Sequence, residues 1–192
     1  MARAAPDKKA AAAAIDAFLR AIGRDPSVEH DLDGTGARVA DAFVDELSAG
    51  YAIDTRAALA VAVIEGGGGS GLVVVRDIPV VTTCPHHLMV AAGTADVALQ
   101  TKAGGKIIGI GAIGELVDAH ARRLTLQEHI GERVVADLDA ALAPAWVACR
   151  IVLTHGCMIS RGSRPIGTKV ETISLRNVDA ATVNVILHRG EP

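Results

Sequence analysis

Val80-Val81-Thr82-Thr83-Cys84-Pro85-His86-His87 is a β-like run that ends in one thiol and two imidazoles. Trp146-Val147-Ala148-Cys149-Arg150-Ile151-Val152-Leu153-Thr154-His155-Gly156-Cys157 is a second such run, ending in one imidazole and one thiol. If neighbouring strands bring these two ends together, residues far apart in sequence converge on one centre. Cys84, His87 and Cys157 then offer two sulfurs and one nitrogen to a metal. Zinc takes such ligands in a tetrahedral shell; a structural site fills all four positions with protein, whereas a catalytic one keeps a position for water. Three protein ligands leave that position open. His86 and His155 stand beside them for proton transfer, because imidazole titrates near neutral pH. Consecutive side chains in extended structure point to opposite sides, but at a strand end His86 and His87 can both face one cleft.

A cysteine often acts as a small buried hydrophobe, and a single C-x-x-H is a weak motif. Two halves, each at the end of a β-like run and each with an adjacent histidine, favour the metal. Cys149 is the contrast: no His or Cys stands near it in its apolar run, so it reads as core. His120 lies at helical spacing on an apolar face and reads as a packed or hydrogen-bonded core histidine. His30, His129 and His188 read as solvated. Gly66 to Gly69 lacks the Lys-Ser or Lys-Thr continuation of a phosphate-binding loop.

Outward from the two runs, the order of elements decides the fold class. Ile15, Phe18, Leu19 and Ile22 recur at helical spacing before Gly23, and Val39, Phe43 and Leu47 mark a second helix beginning near Thr35. The glycine loop from Gly66 to Ser70 reads as a turn between extended segments, Leu59 to Ile64 and Leu72 to Val75. Further strands are expected at Val80 to Thr83, Ala95 to Leu99 and Lys106 to Ile110. A helical pair follows, with Ile113, Leu116, Val117 and His120 on one face of the first. Ile130, Val134, Val135, Leu138 and Leu142 mark the second, and Pro144 ends it. Strands return at Trp146 to Thr154, Lys169 to Leu175 and Thr182 to His188. This pattern predicts an α+β domain with helices packed on one face of an antiparallel sheet.

The 192 residues suffice for one domain with a real core, and one domain over residues 1–192 is expected, with an N-terminal helical region at 1–50. A net charge of -3 excludes a general nucleic-acid or anionic-membrane binder, which needs a basic stripe. Three cysteines, an odd number, make no disulfide framework, and thiols beside histidines suit a reducing compartment. Arg3, Lys8 and Lys9 precede an alanine run, but Asp16 and Arg20 interrupt it, so no signal peptide is read there. No stretch reaches the length of a membrane span. A cytoplasmic location is expected.

Arg38-Val39-Ala40, Val75-Arg76-Asp77-Ile78, Cys84-Pro85-His86-His87, Arg122-Arg123 followed by Gln127-Glu128, His155-Gly156-Cys157 and Arg161-Gly162 occur in this order between about Thr35 and Leu175. In that combination the chain resembles the GTP cyclohydrolase I family. The resemblance implies a tunnelling fold (T-fold) over residues 51–192, closed into a barrel by oligomerisation, and a homo-oligomer such as a ring-like decamer with active sites between subunits. It implies Zn2+ on Cys84, His87 and Cys157, proton transfer by His86 and His155, and a guanine pocket with Gln127 and Glu128. Arg38 and Arg161 are candidates for binding phosphate. The implied reaction opens the imidazole ring of GTP and yields 7,8-dihydroneopterin triphosphate and formate. A carboxylate suits the N1 and 2-amino donors of guanine, since it only accepts hydrogen bonds.

The chain departs from the family pattern in two places. Pro85 stands where the family has Glu. Gly109-Ile110-Gly111-Ala112-Ile113-Gly114-Glu115 stands where the family reads G-L-S-K followed closely by Arg, so Gly111 and Ala112 replace Ser and Lys, and Glu115 replaces Arg. Those basic residues hold the triphosphate in the family, and phosphate binding wants Arg or Lys donors. Lys106 is a nearby substitute. Three readings therefore stay open: a conventional GTP cyclohydrolase, a zinc-dependent hydrolase of another nitrogen heterocycle without a triphosphate, and a non-catalytic zinc-binding paralogue. The last gives no reason for two extra histidines beside the ligands.

Overall fold

The computed structural model describes residues 5–67, 69–164 and 166–187. Two compact units result, one up to Ala49 and one from Gly50 onward. The first contains helix α1 (Lys8–Ala21), capped by Asp7 through Ala10 N, and α2 (Thr35–Asp41), which runs on as a π-helical segment to Leu47. Lys8 holds the two together by pairing with Asp41 at 3.1 Å and with Asp45 at 2.5 Å.

The second unit contains α3 (Thr55–Ala62), β1 (Val63–Ile64), β2 (Leu72–Thr83), β3 (Val90–Gln100), β4 (Ile107–Ile108), α4 (Ile110–Ala121) and α5 (Gln127–Leu142). These are followed by β5 (Trp146–His155), α6 (Gly156–Ile159), β6 (Val170–Arg176) and α7 (Ala180–Leu187). Four long strands form one antiparallel sheet in the order β2-β3-β5-β6, and β1 pairs with β4. The result is an α+β architecture, as the pattern predicts.

Alternation of side chains along the strands divides the sheet into two faces. Val97 and Leu99 of β3 and Val147, Cys149, Ile151 and Leu153 of β5 are buried with Val117 of α4 and Ile130, Val134 and Leu138 of α5. Each such fully buried aliphatic side chain contributes about 1.5–3 kcal/mol. Gly131 allows α5 to approach β6, because a Cβ there would lie 2.6 Å from Ser174 Oγ. Cys149 belongs to this core, and burial pushes its thiol up to about 12. On the other face, Arg150 bridges Asp96 at 3.3 Å and Glu171 at 3.0 Å.

Five local expectations change. Leu72 to Val75 and Val80 to Thr83 are one strand, interrupted by a bulge in which Arg76 and Asp77 oppose the single residue Asp96. Asp77 adopts φ 55° there and donates from its N–H to Asp96 Oδ1 at 2.9 Å. Leu59 to Ile64 is mostly helix, because Asp54 caps Arg56 N and Ala57 N and an alanine-rich turn follows. Of Lys106 to Ile110 only Ile107 and Ile108 are extended. Thr182 to His188 is helical up to Leu187, since Asp179 accepts from Thr182 N at 2.9 Å and caps α7; β-branched composition had suggested a strand. His188 and Gly68 lie outside the described residues. Finally, α7 places Val183 against Ala98 and Ala148, on the face opposite α4 and α5, so the helices do not all share one face.

Candidate metal centre and active site

The hairpin between β2 and β3 builds the first half of the site. Leu88 N donates to Cys84 O at 2.9 Å and Cys84 N donates to Met89 O at 3.0 Å, so the chain folds back at once and His87 returns towards Cys84. Leu88 takes φ 53°, a left-handed conformation that a bulky residue adopts only when its surroundings hold it. Pro85 follows Cys84 directly, and neither bond that closes the turn needs a donor from it. The His86 and His87 rings are nearly perpendicular, at 89°, with centroids 6.4 Å apart.

Strand register brings the second half alongside. Ala91 of β3 lies opposite His155 of β5, so α6 begins next to the hairpin. Gly156 is required at this junction, because a Cβ would lie 2.7 Å from Val90 O. The ligand atoms of Cys84, His87 and Cys157 come within 4.8 Å of one another. A tetrahedral zinc with Zn–S near 2.3 Å and Zn–N near 2.0 Å spaces its ligands by about 3.5–3.8 Å, so the donor set fits after a contraction of at most about 1.3 Å. Burial pushes the Cys157 thiol up, and the neighbouring Cys84 adds to the effect.

The third component is the entry to α5. Leu124 bridges Thr83, and Thr125 N donates to Thr83 O at 3.3 Å, so this segment runs along the end of β2. The first turn of α5 then delivers Gln127 and Glu128. One cavity of about 240 Å³ is lined by Cys84, His87 and Cys157 together with His86, His155, Gln127 and Glu128. His86 and Glu128 are exposed, whereas Gln127 is buried. Burial holds His155 below the ordinary imidazole value, and the Glu128 carboxylate works against that. The arrangement places three donors that could hold a metal, two further imidazoles and one carboxylate around a single opening.

Residues 11–184 match the family model described as GTP cyclohydrolase I. The chain belongs to that family. It is 36% identical over 167 residues to GTP cyclohydrolase 1 of Allorhizobium ampelinum, covering 87% of this chain and 81% of that protein. To GTP cyclohydrolase 1 of Streptomyces coelicolor it is 36% identical over 180 residues, covering 93% and 88%. The crystal structure of the archaeosine synthase QueF-Like in the apo form aligns with a TM-score of 0.45 and 19% identity, over 58% of this chain and 98% of that one.

Of the other residues singled out in the GTP cyclohydrolase I pattern, those of the second unit lie at the border of this cavity or line other ones. Arg161 is exposed and donates from Nε to Cys157 O at 3.1 Å, which keeps it beside the Cys-His-Cys group. Arg38 belongs to the N-terminal unit, where it donates to Thr35 Oγ1 at 3.0 Å. Ala112 and Glu115 line a different cavity, of about 250 Å³, with Thr55 and Asp118. Lys106 pairs with Glu65 at 3.1 Å and faces a further cavity, lined also by Arg56 and Asp137. His120 is buried with Nε2 2.9 Å from Asp137 Oδ2, a structural pairing. Thr125, Met158 and Val170 also line the metal cavity and were not anticipated from sequence. The available signal was positional: Thr125 stands two residues before Gln127, and Val170 and Thr172 alternate along a strand facing α5.

Proposed function

We propose that this chain is a zinc-dependent GTP cyclohydrolase that opens the imidazole ring of GTP and yields 7,8-dihydroneopterin triphosphate and formate. The observation that carries this reading is the shared cavity in which three metal donors meet His86, His155 and Glu128. Cys84, His87 and Cys157 would hold the zinc, which supplies a bound water with a pKa near 7. Glu128 accepts from the N1 and 2-amino donors of the guanine edge and so orients the ring towards the metal ligands. His86 and His155 hold and return protons at the ring nitrogen as the C–N bond opens. Arg161, and Arg38 from the N-terminal unit, are the proposed phosphate contacts.

We assign the active form as a homo-oligomer with the site shared between subunits, in a closed T-fold barrel. β2 and β6 form the two edges of the four-stranded sheet, and open edges invite pairing across a subunit boundary. A shared site also gives Ala112 and Glu115 a route to a substrate that their own chain's metal cavity does not offer. We place the protein in the cytoplasm, where thiol ligands remain reduced. No helix of the described residues is long and apolar enough to cross a membrane.

A second reading is favoured by Glu115, which brings a negative charge where the family pattern has Arg. In that reading the same hydrolytic centre acts on a nitrogen heterocycle that carries no triphosphate. Metal-loaded protein incubated with GTP, GMP, guanosine and non-nucleotide heterocycles, with formate release and product mass measured, separates the two. Formate and dihydroneopterin triphosphate from GTP are expected. Formate from a non-phosphorylated ring alone selects the second reading, and no formate from any substrate overturns both.

A further inference from the structure

Gln127, the first residue of α5, is 3% exposed and has its side-chain amide surrounded on both sides. Its Nε2 lies 3.0 Å from Ile151 O, 3.0 Å from Val170 O and 3.2 Å from Thr172 Oγ1. Its Oε1 lies 2.8 Å from His155 Nε2. Backbone carbonyl oxygens only accept hydrogen bonds, so the amide edge facing Ile151 and Val170 has to be the NH2 group. The amide cannot be turned over without aiming its oxygen at two other oxygens in a buried place, where an unmatched polar pair costs about 1–3 kcal/mol. The oxygen therefore faces His155, and an oxygen of this kind accepts. The proton on the His155 ring then belongs on Nε2, and Nδ1 is left with its lone pair. No hydrogen bond from the protein reaches His155 Nδ1 among the described residues.

We propose that Gln127 is a positioning residue that fixes the tautomer and ring direction of His155, rather than a group that contacts the substrate. This rests on the reading of His155 as a proton-transfer group. Strands β5 and β6 anchor the amide, and the amide in turn anchors the imidazole, so the sheet sets which ring nitrogen exchanges a proton. Recognition of the guanine edge falls to Glu128, which is exposed at the next position and lines the cavity. The pair Gln127-Glu128 divides its work: one residue faces the protein and the other faces the ligand.

The test has two independent parts. Metal-loaded protein with ring-15N histidine, studied by nitrogen-detected NMR under conditions where the ring is neutral, reports the protonated nitrogen directly. The His155 signal is assigned by its disappearance in His155→Asn. Protonation at Nε2 is expected; protonation at Nδ1, or exchange between tautomers, overturns the proposal whether or not the protein turns over GTP. The second part is kinetic. Gln127→Met preserves side-chain volume and removes both the acceptor and the donors. It is expected to lower kcat by about 10- to 100-fold, as lost orienting contacts behind reactive groups commonly do, with KM for GTP changed less than threefold and zinc retained. A raised KM with kcat preserved would show a substrate contact instead. If Gln127→Met does not fold, the tautomer measurement on the unmodified protein decides the matter. Absence of formate from unmodified protein would refute the proposed activity and leave the tautomer result standing.

Discussion

Replacing Gly156 with Ala tests how the two halves of the metal site are brought together. The new Cβ would stand 2.7 Å from Val90 O and 3.6 Å from Met89 Cβ. An ordinary carbon–oxygen contact is about 3.3–3.6 Å, so the start of α6 has to move from β3 by roughly 0.6 Å or more. Both atoms in the way are backbone or next to it, and Met89 O accepts the Cys84 N–H bond that closes the hairpin. The strain thus reaches Cys84 from one side and Cys157 from the other. Zinc–ligand distances vary by only about 0.2 Å, so a ligand set pushed further apart has to be drawn back against that strain when the metal binds. Zinc affinity is expected to fall by about 10- to 100-fold, comparable to other losses of support behind metal ligands. Overpacking should also cost about 1–3 kcal/mol of stability. Competition with a chromogenic chelator measures the first effect and denaturant unfolding the second. Gly114→Ala is the control, because nothing lies within 4 Å of a Cβ at that helical position. If Gly156→Ala holds zinc as tightly as the unmodified protein, the approach of β5 to β3 does not set the ligand spacing and the geometric argument fails.

Further outcomes follow from the same structure. Cys84→Ala, His87→Ala and Cys157→Ala should each lose most of the bound zinc after gentle purification; unchanged metal in all three would remove the site assignment. Burial holds His120 below its ordinary value of 6.5, with Asp137 opposing, so the unfolded chain takes up more protons than the folded one as pH falls below about 6.5. The contribution linked to His120 is fully present above that pH and declines on acidification, and His120→Gln, which keeps a donor to Asp137, should lose less in urea midpoint between pH 7.5 and 5.5 than the unmodified protein; equal losses would refute the burial argument. Ala112→Lys with Glu115→Arg restores two charge-assisted phosphate contacts worth about 1.5–3 kcal/mol each, so the preference for GTP over guanosine should rise by on the order of 10²-fold, measured as a ratio of kcat/KM, and an unchanged ratio would remove these positions from the phosphate grip.

The helical pair was legible because the apolar residues of α4 and α5 recur at helical spacing, and Pro144 closes the second helix. The bulge at Arg76 and Asp77 was not, because alternation on either side of it reads as two short strands, while the buried Asp96 carboxylate that accepts the Asp77 N–H comes from the next strand. For α3 and α7 the deciding interactions were helix caps from Asp54 and Asp179, short polar contacts that a reading of apolar periodicity passes over. Composition pointed the wrong way in both segments, since Val and Ile favour strands only until a cap and local packing decide otherwise.

The site divides along the same line between residue type and atomic direction. The donor chemistry of Cys84, His87 and Cys157 is visible in the letters, and adjacent strand ends suffice to bring them close. Sequence cannot state which edge of an amide faces which atom, and for Gln127 that edge reverses the meaning of the residue: its carbonyl serves His155, and its NH2 group serves β5 and β6. Nor does the chain order reveal that Ala112 and Glu115 open onto a cavity other than the one that holds the metal ligands. The separation constrains any triphosphate grip. Arg161 stays next to Cys157 through its bond to the Cys157 carbonyl, and Arg133 reaches the cavity wall through Thr125 Oγ1 at 3.1 Å. Two guanidinium groups near the cavity can meet part of a polyanion's charge, and a triphosphate carries more than two such groups neutralise. In the proposed homo-oligomer, a Glu115 facing the same substrate from a neighbouring subunit would repel the phosphates assigned to Arg161, so the proposed balance between GTP and an uncharged ring would rest on what such a neighbour places opposite Arg161.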